Sequence, residues 1–219
     1  MKTKMAIGSI ALLGVVLAAC STAPGTTVAA AGDKAAASKK IDGATFQDAV
    51  RKLWEDHVTW TRLYIVSAAA GLPDAQLTAE RLLRNQDDIG DAIKPFYGEE
   101  AGEKLTALLR DHILKAAELL TAAKAGDTAK VGAVKTTWYE NGDEIAAFLS
   151  AANPKNWPLD AVKHHMRMHL DLTLDEAVKR LEGNYAADIA LYDEVHEAIL
   201  EMADILSAGI QAQFPQRFN

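Results

Sequence analysis

From Thr45 onward, apolar residues recur at intervals of three and four, the spacing of helices with one buried face, and no stretch alternates with the period of two expected of a strand. The pattern predicts an all-α domain. A first helix starts at Thr45, with Asp48 three residues on as capping partner, and runs to Ala70, where "GLPD" stops it. A shorter second helix fits Asp74 to Ile93 and ends at "KPFYG", because Pro95 and Gly98 break the chain. The third fits Glu99 to Lys124, closed by Gly126; the fourth fits Thr128 to Ala152, closed by "NPKNWP". A short fifth helix reaches Leu170, and Thr173 with Glu176 reads as a T-x-x-E capping box opening a last helix to Phe214. Four long helices joined by short turns predict an antiparallel four-helix bundle with two additional short helices.

The buried faces contain unexpected polar residues. In the first helix the stripe Phe46, Val50, Leu53, His57, Trp60, Tyr64, Ala68 turns His57 inward; in the third, Leu105, Leu109, His112, Ala116, Leu119, Ala123 does the same for His112. The fourth helix centres on Asn141 and the last on Asp188 and Tyr192. If helix midpoints share a layer, His57, His112, Asn141, Asp188 and Tyr192 converge in the bundle interior. Bundles build metal and cofactor sites from such inward-facing side chains, and imidazole with carboxylate suits Zn, Fe, Mn or Cu, or a haem. The alternative is a hydrogen-bonded network that only holds the helices in register. Glu-x-x-His pairs, which mark di-iron bundles, are absent from the four long helices.

A second tract, "HHMRMH" from His164 to His169, mixes histidine with methionine, a combination that can bind copper, although such a tract is more often a partly buried amphipathic turn. His169 is its member best placed to reach the core. Trp54, Trp60, Trp138 and Trp157 read as packing residues, Arg62 as an ion-pairing surface residue unless it turns toward His57, and "DEVHEAILEMAD" as a solvated acidic face exposing His196. Ser67, Ser150 and Ser207 lack a nucleophile elbow, so a hydrolase has no convincing nucleophile.

The first residues, "MKTKMAIGSIALLGVVLAAC", have a basic start and an apolar run too short to span a bilayer, which predicts a secretory signal over residues 1–19. The "LAAC" ending resembles a bacterial lipobox, making Cys20 the lipidated first residue of the mature protein. Membrane contact is then expected through the lipid, in the cell envelope; Ser21 favours the periplasmic face of the outer membrane in a Gram-negative cell. Residues 20–40, rich in Ala, Gly, Ser and Thr, read as a flexible tether, and residues 41–219 as the bundle domain. Cys20 is the one cysteine, so no intramolecular disulfide can form. Loss of Lys2 and Lys4 from a balance of 23 basic and 30 acidic residues moves the net charge from −7 to about −9, which argues against nucleic acid and anionic lipid surfaces as partners.

The segments "LWEDHVTWTR", "KPFYG", "DHILKAAELLTAAKAGD", "WYENGDEIAAFL" and "YAADIALYDEVHEAILEMAD" resemble an uncharacterised family of bacterial extracytoplasmic helical-bundle proteins with a W-x-x-H-V-x-W-T-R motif, over nearly all of Phe46 to Phe214. Some of its members carry the labels glycosyltransferase or acetylglutamate kinase. Neither fits this chain, which lacks α/β alternation and a glycine-rich phosphate loop. The resemblance implies a site of His57, His112 and His169, with Asp188 as acidic member and Trp60, Arg62, Asn141, Asp143 and Tyr192 around it. The expected function is binding of a transition metal or small polar ligand in that layer; the alternative is a structural or adaptor lipoprotein that docks an envelope partner.

Overall fold

A computed structural model describes residues 40–219. Among them the chain forms six α-helices: α1 (Gly43–Ala70), α2 (Ala75–Tyr97), α3 (Glu99–Lys124), α4 (Thr128–Ala152), α5 (Leu159–Leu181) and α6 (Tyr185–Gln213), followed by a 3-10 turn over Pro215–Arg217. The all-α reading holds. None of the six is short, however: α2 and α5 each have 23 residues. The signal and Cys20 lie outside the described residues, and no described helix is long and apolar enough to cross a membrane.

Local chemistry explains the boundaries. Asp42, not Thr45, caps α1, its carboxylate accepting from the Thr45 backbone N–H at 2.8 Å and from the Thr45 hydroxyl at 2.7 Å. Asp127 caps α4 through the Lys130 N–H. Pro95 lies inside the last turn of α2, which continues to Tyr97 before Gly98 ends it.

The largest departure concerns α5 and α6. The expected break before Thr173 does not occur, because α5 runs through it to Leu181 and the chain reverses at Gly183, in the left-handed region at φ 74°. There the N–H groups of Gly183 and Asn184 return to Arg180 and Lys179, and the Asn184 side chain caps α6. Thr173 and Glu176 therefore sit one turn apart on the same helical face, a spacing that mimics a capping box without being one.

Each helix packs against its neighbours in sequence, α6 also packs on α1, and the odd-numbered helices α1, α3 and α5 touch one another pairwise. Short connections make successive helices antiparallel, so the three inner helices run in the same direction. Their inward faces match position by position. Val50, Leu105 and Val162 are buried on α1, α3 and α5; then Trp54, Leu109 and Met166; then His57, His112 and His169. At the foot of the bundle Phe46, Phe96 and Phe218 pack with ring centroids 5.1–5.7 Å apart. Ile41 joins Arg217 and Asn219 there through backbone hydrogen bonds.

Candidate functional site

His57, His112 and His169 each stand near the middle of an inner helix and are 3%, 4% and 5% exposed. They line one cavity of about 10 Å³, together with Trp54, Leu109 and Met166 from the preceding turn of each inner helix, Ile145 from α4 and Met202 from α6. That volume is close to the least that holds a single water-sized occupant. The rings of His57 and His169 lie 5.7 Å apart, and His112 stacks on Trp138 at 5.3 Å.

The even helices orient the imidazoles with amides. Asn141 donates its amide N–H groups to the Leu108 carbonyl and to Asp111, both at 3.1 Å, so its carbonyl oxygen faces His112 Nδ1 at 2.9 Å as acceptor. His112 must then carry its proton on Nδ1, which leaves the Nε2 lone pair free. On the α2 side, Gln86 donates to Leu82 and Asn85 while its carbonyl oxygen stays unpartnered beside His57. Nδ1 of His57 and Nδ1 of His169 are buried without a protein partner among the described residues.

All three rings are neutral around pH 7. Burial pushes His57 down to about 3, helped by the nearby His112; burial pushes His112 down to about 4, against the opposing effects of Asn141 and Asp111. His169 lies well below the ordinary histidine value, first through burial and then through the other two histidines. Neutral imidazole is the form that ligates metals. Even so, no group of three or more His, Cys, Asp or Glu side chains among the described residues has metal-holding geometry. Two imidazoles on one tetrahedral ion, with nitrogens at ~2.0–2.1 Å, have centroids about 5 Å apart, so His57 and His169 alone would have to close by several tenths of an ångström to share one.

Asp188 is not in this layer. It lies in the first turn of α6, is 0% exposed, and is held bidentately by Arg62, whose Nη2 is 2.9 Å from Oδ2, with Arg180 at 3.3 Å. Arg62 also donates to Glu176 at 2.8 Å, and its guanidinium lies 5.4 Å from the Tyr192 ring. The expected polar layer is thus two clusters: histidines with Asn141, and a buried ion network with Tyr192 at its side. The cause is the helix start, since α6 begins at Tyr185 and Asp188 cannot be at its centre.

Arg62 is accordingly a partly buried residue that pairs with two buried carboxylates, not a surface one. Asp143 also lies away from the histidines, bound to Arg167 at 2.7 Å between α4 and α5. Trp60 carries Arg81 over its ring at 5.0 Å. Within "HHMRMH", His164 is exposed, and His169 and Met166 are the members that reach the core. His196 is partly exposed and pairs with Glu55 at 3.1 Å.

Directly beyond the histidines is an apolar cavity of about 50 Å³. Its walls include Thr61, Ala116 and Thr173, one turn past each histidine, and Ile65, Leu120 and Ala177, one turn further. The Thr173 hydroxyl is buried there with no protein partner. Replacing it with a methyl group removes a desolvated polar atom, so Thr173→Val is expected to raise the unfolding free energy by about 1 kcal/mol. Urea denaturation measures this; a destabilised variant would show that the hydroxyl is solvated from the cavity.

No family model, curated protein or solved structure matches the chain.

Proposed function

We propose that this protein binds one transition-metal ion through His57, His112 and His169. The observation that carries the reading is the convergence of three neutral imidazoles, each from a different helix, on one cavity of atomic size. The metal would accept lone pairs from the rings, while Asn141 holds the His112 tautomer and Gln86 offers His57 an equivalent acceptor. Asp188 has no part in this ligand set.

The same reading includes membrane attachment by lipid on Cys20 and membership of the helical-bundle family that the Trp54 to Arg62 motif resembles. The lipobox pattern and the acidic mature chain support the first. Labelled palmitate should enter the wild-type protein and not Cys20→Ser.

Metal content, measured on the mature protein purified without a histidine tag and titrated with first-row metal ions, tests the site. About one equivalent is expected, lost in His57→Ala/His112→Ala. Should that variant keep a full equivalent, or should the wild type bind no metal after reconstitution, the histidine layer would be a register-holding network and the adaptor alternative would take its place.

A further inference from the structure

Two methionines share the histidine cavity. Met166 lies one turn before His169 on α5, and Met202 arrives from α6; both are 3% exposed. Met166 packs over Gly142, so close that a Cβ at that position would fall 3.3 Å from its Cγ. A third occupant of the same tier, Trp54, is aromatic, and Leu109 and Ile145 complete an apolar wall.

Every donor available at this cavity is therefore uncharged. No carboxylate lines the cavity, and the buried or neighbouring ones are otherwise committed: Asp188 and Glu176 to Arg62, and Asp111, which acts on His112, to Lys115 and Asn141. A dication held here would carry two charges into a site that offers no compensating anion. The cost of desolvating an ion grows with the square of its charge, so a monocation bears about a quarter of that penalty. Thioether sulfur, being soft and polarisable, selects Cu(I), and a methionine side chain has the torsional freedom to bring its sulfur onto an ion without moving a helix.

We propose that the His57–His112–His169 cavity is a Cu(I) site, with a thioether of Met166 or Met202 completing the imidazole set. The inference rests on the metal-binding reading above and adds the identity of the ion. With Met202 as the thioether the ligands come from four helices, α1, α3, α5 and α6, and the ion would tie the inner helices to an outer one; with Met166 all ligands come from the three inner helices.

Anaerobic titration of the mature protein with Cu(I) against a chromogenic chelator, and in parallel with Zn(II) and Co(II), tests it. The expected result is one Cu(I) per chain, bound at least about a hundredfold tighter than Zn(II) or Co(II). Met166→Leu/Met202→Leu, which nearly conserves volume, is expected to weaken Cu(I) at least about tenfold and to leave any Zn(II) or Co(II) binding unchanged. X-ray absorption on the Cu(I) form should show sulfur as well as nitrogen neighbours. Zn(II) or Co(II) binding as tight as Cu(I), or Cu(I) affinity unaltered in the methionine variant, would overturn the Cu(I) assignment and leave the metal site standing. Failure of all three ions to bind would overturn both.

Discussion

Arg62→Ala is expected to cost about 3–5 kcal/mol of stability, the loss typical when one partner of a buried ion pair is removed and the other stays behind. Asp188 is fully buried and would keep Arg180 alone, at 3.3 Å; Glu176, 1% exposed, would keep no cation. Arg62→Lys should recover part of the loss, since an ammonium can meet the charge but not the two-pronged geometry that Arg62 offers Asp188. The cluster ties α1 to α5 and to the first turn of α6, so the damage should reach the whole bundle. Replacing Arg62, Glu176 and Asp188 together by apolar residues is expected to cost less than Arg62→Ala, because no charge is then left without a partner. Urea denaturation curves decide it. An Arg62→Ala protein within about 1 kcal/mol of wild type would mean that water reaches the two carboxylates and that the network is not sealed.

The ion network also shows where sequence reasoning reaches its limit. For α3 and α4 the observed bounds coincide with the expected ones, because glycine and aspartate signals stand at the ends of clear apolar stripes. At α5 and α6 the T-x-x-E pattern of Thr173 and Glu176 predicts a helix start that is not there, since residues three apart on any helix face satisfy the same pattern. A last helix starting at Thr173 makes Asp188 central and puts it in the histidine layer, whereas the observed start at Tyr185 puts it in the first turn of α6. His57 and His112 are legible from their own helical faces; His169 is legible from its place at the end of the "HHMRMH" tract, and the family resemblance joins it to the other two. The spacing of the buried residues carries a stronger signal. Aligning the inner helices on their histidines puts Val50, Leu105 and Val162 in one tier, Trp54, Leu109 and Met166 in the next, and Thr61, Ala116 and Thr173 beyond. Met202 could not be found this way, because its place depends on how α6 packs against the three inner helices.

Acidifying the metal-free protein from pH 7.5 to 5.5 is expected to lower its unfolding free energy by about 2 kcal/mol, before ordinary carboxylates begin to titrate. The sign follows from proton counting. In the folded protein His57 and His112 bind protons only near about 3 and about 4, and His169 also lies well below the ordinary value. The unfolded chain protonates all three near 6.5, so below that pH it binds more protons than the native state and stability falls. Three histidines account for about 4 kcal/mol over this interval. Glu176 acts in the opposite direction: burial, outweighing Arg62, raises it to about 7, so the native state takes up its proton before the unfolded chain does. That uptake returns about 2 kcal/mol over the same interval. Glu176→Gln should therefore steepen the pH dependence to about 4 kcal/mol, and His112→Gln should make it shallower by about 1 kcal/mol relative to wild type. Urea midpoints collected at half-unit pH steps for the three proteins measure all of this. A flat profile from 7.5 to 5.5 in both wild type and Glu176→Gln would mean that the folded state accepts protons on its imidazoles, which a dry, neutral cavity does not allow.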